Sequence, residues 1–114
     1  MTKHQILRAQ GAYYIGTGLW PLLSMGTFER VTGPKVDKWL VQMVGLLAAA
    51  IGISLRSGAR DGEEVDAAIS VLALTSALAF AGIDVVHALR RRISPVYLGD
   101  AVAELAIVGL LLIE

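Results

Sequence analysis

Asp84 and His87 stand three residues apart, and Asp100 and Glu104 four apart, in stretches otherwise built mainly of Ala, Val, Leu, Ile and Gly. At helical spacing each pair falls on one face. An ionisable side chain in a lipid-embedded helix costs about 2.5 to 3.5 kcal/mol on insertion scales, so these groups need either partners or a task. Three chemistries suit them. Asp84, Asp100 and Glu104 opposite Arg30, Arg90, Arg91 or His87 would form an ion-pair and hydrogen-bond network that fixes helix register. Carboxyls beside a histidine in low dielectric would instead take and release protons, which suits a proton relay or a solute site. The same four residues have ligand types acceptable to a metal, but no Glu-x-x-His element recurs on two helices, so no metal and no cofactor is assigned. Glu29 and Gln42, with Ser24, Thr27 and Asp37, extend the candidate cluster at the same end.

The elements that must position these groups read as four membrane spans, at about 6–28, 38–55, 65–89 and 96–113, since a spanning helix needs roughly 20 mostly apolar residues. At 1.5 Å per residue, Asp84 lies roughly 10 Å along its helix from Arg91, and Glu104 roughly 13 Å along from Pro95, so their depths agree within a turn. The stripe Ala73, Ala77, Ala81 continues into Asp84 and His87 and turns that pair toward the bundle interior. Gly99, Asp100, Ala103 and Glu104 share a side of the fourth span. The expected architecture is an all-α, up-down bundle of four transmembrane helices with short connectors, forming a single integral membrane domain over 1–114.

Connector chemistry sets the expected boundaries. Thr32-Gly33-Pro34 and Ser94-Pro95 each suit a cap followed by proline at the first helical position. Asp61 with Glu64 resembles a capping box for the third span, and Gly58 closes the second. Trp20-Pro21 should bend or divide the first span. Lys3 and Arg8 before an apolar run raise the alternative of a signal peptide, but no small-x-small cleavage pattern follows, so a span is expected. Gly45/Ala49, Ala48/Gly52, Ala73/Ala77/Ala81 and Gly99/Ala103 supply small-residue seams, and a homo-oligomer would use the same pattern. Trp20, Trp39 and Tyr97 suit interfacial anchors, Met25 and Met43 core filler, and Tyr13 and Tyr14 lie deeper without an assigned role.

Composition excludes much. The 114 residues are 55% apolar and 18% charged, ten Lys plus Arg balance ten Asp plus Glu, and there is no cysteine. With a mean hydropathy of +0.64 the expected partner is the lipid bilayer, and a balanced charge offers no field for nucleic acid. Thiolate, zinc-thiolate and iron-sulfur chemistry are out. His4 and His87 belong to opposite membrane sides and cannot both ligate a haem within one subunit. No nucleotide-binding, acyl-transfer or zinc-protease motif occurs. Lys3, Arg8, Arg56 and Arg60 face Arg30, Lys35, Lys38, Arg90, Arg91 and Arg92 across the membrane, four against six, which places both termini outside.

The run Gly18-Leu19-Trp20-Pro21-Leu22-Leu23-Ser24, with Thr27-Phe28-Glu29, Val31-Thr32-Gly33-Pro34-Lys35 and Asp37-Lys38-Trp39-Leu40-Val41, resembles a segment of small uncharacterised four-span bacterial membrane proteins. Ile93-Ser94-Pro95-Val96-Tyr97-Leu98 and Asp100 extend the likeness. It implies a multi-pass protein of the bacterial inner membrane and carries over no catalytic residue. Small multidrug transporters share the length and span count, yet their embedded glutamate in the first helix has no counterpart before Glu29. The expected role is a non-enzymatic structural or accessory component packing with itself or other membrane subunits. The alternative is a small transporter or proton-linked protein using Asp84, His87, Asp100 and Glu104. A membrane enzyme acting on a lipid or quinone is the third class, and nothing in the sequence demands it.

Overall fold

Thr2 opens the first helix with a reciprocal cap: its hydroxyl accepts from the Gln5 amide at 3.2 Å, and its own amide donates to the Gln5 side chain at 3.0 Å. A computed structural model describes residues 1–60 and 62–114. Among the described residues the chain is all-helical and has no strand. Its helices are α1 (Lys3–Leu23), α2 (Met25–Thr32), α3 (Lys38–Gly58), α4 (Ala67–Leu89) and α5 (Tyr97–Ile113).

The expected division of the first span occurs at Ser24, not at Trp20-Pro21. Pro21 removes one amide but stays inside α1, and the chain departs from helical geometry only at Ser24 (φ −154°, ψ 85°). The Ser24 amide closes α1 on the Trp20 carbonyl, while its hydroxyl accepts from Thr27 and starts α2. Thr32-Gly33-Pro34 ends a helix instead of beginning one. Gly33 takes φ 98° and ψ 159°, a positive-φ conformation that glycine alone adopts readily, and its amide closes α2 on the Glu29 carbonyl, so Pro34 falls in the loop and α3 begins only at Lys38.

The capping box expected at Asp61 and Glu64 does not start α4. Asp61 lies outside the described residues, Glu64 precedes the helix, and Asp66 caps it by accepting from the Ala68 amide at 2.9 Å. A carboxylate nearer the apolar run takes the role. Gly58 is the last residue of α3, as expected. α4 ends with Arg92 donating to the His87 carbonyl and Arg91 to that of Ala88, a Schellman pair that holds Arg91 at φ 57°. Ser94 accepts from the Val96 amide, and three successive i to i+3 bonds tighten the turn into α5.

α1 packs lengthwise and antiparallel on α3, and α4 on α5. Glycine makes the first contact possible. A Cβ at Gly11 would sit 2.6 Å from the Gly52 carbonyl oxygen, and Gly18 and Gly45 face each other's carbonyls in the same way. Gly45, Ala48, Ala49 and Gly52 thus form the expected seam, with Gly11 and Gly18 as its other side. Ala73, Ala77 and Ala81 are buried on α4. The Gly99/Ala103 seam does not form: Gly99 is exposed and faces open space, and α5 buries Ala101, Glu104 and Leu111 instead. The step from 101 to 104 continues to 111, which rotates Gly99 outward.

Ile6, Leu7, Tyr14, Leu55, Ala59, Ala73 and Leu111 form the core. Beside it, His4 meets the Glu63 carbonyl at 2.6 Å and Arg8 donates to that of Ala59, which gathers the N-terminus and the 59–66 connector at one end. Gly33 approaches Ser94, and Lys35 covers Tyr97, at the other.

α3 and α4 are long and apolar enough to cross a membrane. Only 28% of the most apolar stretch of each is buried, so their Leu, Ile and Val side chains mostly face outward, unlike those of a core helix in a water-soluble protein. Met43, expected as core filler, belongs to that outward surface, at 48% exposure.

Candidate polar cavity

Gln10 and Tyr14 lie one helical turn apart on the buried face of α1, so both enter the space between α4 and α5. Gln10 Nε2 donates to the Ala73 carbonyl at 2.9 Å and to the Tyr14 hydroxyl at 3.1 Å, and that hydroxyl donates to Glu104 Oε1 at 2.7 Å. One continuous chain of hydrogen bonds therefore crosses from α4 through α1 to α5. Each member polarises the next. Tyr14 is fixed further by an edge-on contact with Phe80, 5.3 Å between ring centroids. Beside it the Tyr13 hydroxyl donates to Asp100 Oδ1.

Asp84, Asp100 and Glu104 line a single cavity of about 530 Å³, as the spacing on α4 and α5 leads one to expect. Glu104 is 1% exposed and Asp84 6%. The ion pairs set out for them do not form. Among the described residues none of the three pairs with a lysine or arginine, and the Tyr13 and Tyr14 phenols donate to Asp100 and Glu104 instead. Arg30, Arg90 and Arg91 are exposed at the ends of helices, where water solvates a guanidinium better than the apolar interior would. Asp84 Oδ2 and Gln10 Oε1 are buried without a hydrogen-bond partner.

No protein family, curated protein or solved structure matches this chain.

His87 does not join the cluster. It does not line the cavity and, among the described residues, its side chain makes no hydrogen bond, because the buried stripe of α4 advances from Asp84 by four residues to Ala88 and turns His87 aside. Gln42 is exposed on the outer face of α3 and also falls away. Glu29 sits in a separate clasp, accepting from the Lys35 amide at 3.1 Å and pairing with the Lys38 ammonium at 3.2 Å. The Lys35 amide first, and then Lys38, hold the Glu29 carboxyl below the usual glutamate range. Thr27 donates to the Ser24 hydroxyl and accepts from the indole of Trp20, which lines the cavity. Asp37 precedes α3 without a side-chain capping bond. Among the described residues no group of His, Asp and Glu is disposed to hold a metal ion.

The sequence reading missed Gln10, Tyr13, Tyr14 and Lys35. A signal was present: Gln10, Tyr13, Tyr14 and Thr17 recur at steps of three and four within an apolar stretch, a polar line along one side of α1. Lys35 lines the connector end of the cavity. Its ammonium donates to the Thr32 carbonyl and lies 4.9 Å from the Tyr97 ring centroid and 5.9 Å from that of Phe28.

Proposed function

We propose that the chain is a four-span integral membrane protein whose cavity takes up and releases protons together with a bound solute. α3 and α4 supply two spans by length and composition. α1 and α5 complete the four in this reading because their costly groups, Gln10 and Tyr14 on one and Glu104 on the other, face inward, while Val102, Leu105, Leu112 and Ile113 face outward. The resemblance to small four-span bacterial proteins agrees with a place in the inner membrane. One observation carries the function: three carboxyl groups line one cavity and, among the described residues, none of them pairs with a lysine or arginine. An ion-pair network that fixed helix register would supply those cations.

Proton flux into sealed vesicles under an imposed pH gradient tests the reading. Asp84→Asn and Glu104→Gln should each reduce flux toward the protein-free rate, with insertion and helix content unchanged. Flux equal to that of the parent protein in both variants removes it.

A structural or accessory role has one observation of its own. The outer face of α1 presents Ala9, Ala12 and Gly16 where α3, α4 and α5 present large apolar side chains, a surface suited to close approach of another helix. Ala12→Leu should then lower the mass of the detergent-solubilised particle without unfolding the subunit.

A further inference from the structure

A formal net charge of zero conceals an uneven distribution. Arg30, Lys35, Lys38, Arg90, Arg91 and Arg92 gather at the end where the 33–37 and 90–96 connectors meet, and the acids of that surface are Glu29 and Asp37. Among the described residues the ion pair at that end is Lys38 with Glu29, and the four arginines are exposed. Lys35 differs from them in being half-buried at the cavity wall. Its ammonium pairs with no carboxylate among the described residues. It donates to the Thr32 carbonyl and rests over the Tyr97 and Phe28 rings, which leaves N–H donors of the ammonium for a further acceptor.

The cavity beside Lys35 opens sideways. Leu40 and Val44 of α3, Ile83 of α4 and Val96 before α5 all line it, yet each is at least 41% exposed, so the mouth is a gap between helices with an apolar rim. α3 and α4 meet where Gly58 packs on Ile69, and the cavity occupies the space between their other ends. In a bilayer such a mouth faces acyl chains, while the cations beside it lie at the level of the headgroups. A free phosphate compound would gain from the cations and nothing from the apolar walls, and a zwitterionic lipid the reverse. We propose that one anionic phospholipid docks at this mouth, its phosphate on Lys35 within the field of Arg90, Arg91 and Arg92, and part of one acyl chain inside against Phe28, Val41, Val44 and Ile93. The inference uses the membrane placement of α3 and α4 and is independent of proton uptake.

The test uses the full chain in an uncharged detergent and phospholipids brominated on the acyl chain. Trp39→Phe leaves Trp20, at the cavity wall, as the sole tryptophan reporter. Brominated phosphatidylglycerol should quench Trp20 saturably at one lipid per chain, and brominated phosphatidylcholine should bind about fivefold or more weakly. Glycerol phosphate, the headgroup chemistry without acyl chains, should not displace the lipid. Lys35→Met should weaken phosphatidylglycerol by about fivefold, and Arg60→Gln, at the opposite end of the molecule, should leave it unchanged. Val44→Phe, an exposed position on the rim, should weaken both lipids by narrowing the mouth. Equal affinity for the two lipids, displacement by glycerol phosphate, or equal weakening by Lys35→Met and Arg60→Gln each overturns the proposal, as does undiminished binding by a folded Val44→Phe. A chain that stays dispersed in water without any amphiphile removes the membrane reading itself, whereas equal affinity for the two lipids removes only this site.

Discussion

Tyr14 and Gln10 of α1 together tie three helices: the Tyr14 hydroxyl, at a position only 2% exposed, accepts from Gln10 and donates to Glu104 of α5, while Gln10 also donates to the Ala73 carbonyl of α4. Tyr14→Phe keeps the ring contact with Phe80 but leaves a buried carboxyl without its donor and the Gln10 amide with one of its two acceptors. A loss of about 1 to 3 kcal/mol is expected, read as a lower midpoint of thermal unfolding in detergent. The Glu29 clasp makes a separate prediction at this scale. The folded carboxyl ionises below its ordinary value of 4.5, so its contribution is present above that value and is lost as pH falls through the lower folded one. The NMR signal of the Lys35 amide should therefore move on acidification, and Glu29→Gln should abolish that movement. Asp84, Asp100 and Glu104 were legible in the sequence because a charge inside an apolar run is costly wherever it points. Gln10 and Tyr14 were not, because a neutral polar side chain in an apolar stretch costs little enough to need no partner, so it signals none. His87 misled because a three-residue spacing from Asp84 fits a helical face, while the packed stripe takes the four-residue step instead.

Helix α1 meets α3 through two glycine pairs, Gly11 with Gly52 and Gly18 with Gly45, each seven residues from the next along its own helix. That repeat keeps the glycines on one seam of both helices and brings the backbones together. Gly18→Val or Gly45→Val would drive a branched side chain into the opposing carbonyl. About 1 to 3 kcal/mol of stability should be lost, measured by loss of helical circular dichroism on heating. Gly16→Ala and Gly99→Ala face open space, so the same measurement should show no loss and a gain of up to about 1 kcal/mol from helix propensity. Hydropathy announced the elements themselves, whereas their boundaries depended on which of several neighbouring caps won. Gly33 could end one helix or precede another, and Asp66 competed with Asp61, choices settled by where the flanking apolar faces meet.

Across the whole molecule, the N-terminus and the 59–66 connector gather at one end, and the 33–37 and 90–96 connectors at the other. Under the four-span proposal those ends would lie on opposite sides of the membrane. The sequence contains no cysteine, so single cysteines can report sidedness without background. Thr2→Cys and Glu114→Cys should react with a membrane-impermeant maleimide from the same side as Ser57→Cys, and Ser94→Cys from the other. Labelling of Thr2→Cys or Glu114→Cys from the Ser94 side would overturn the four-span proposal and leave at most the two helices, α3 and α4, whose length and composition suit a span. The sequence by itself determined that this protein is helical, that it carries an excess of outward apolar surface, and that three acids sit inside apolar stretches, because composition and periodicity are local properties of the chain. Tertiary structure alone decided that phenols rather than arginines meet Asp100 and Glu104, that His87 and Gln42 stand apart, and that Lys35 lines one cavity with the aromatic rings. Those outcomes depend on the rotation of each helix about its own axis, which is set by contacts between residues far apart in the chain.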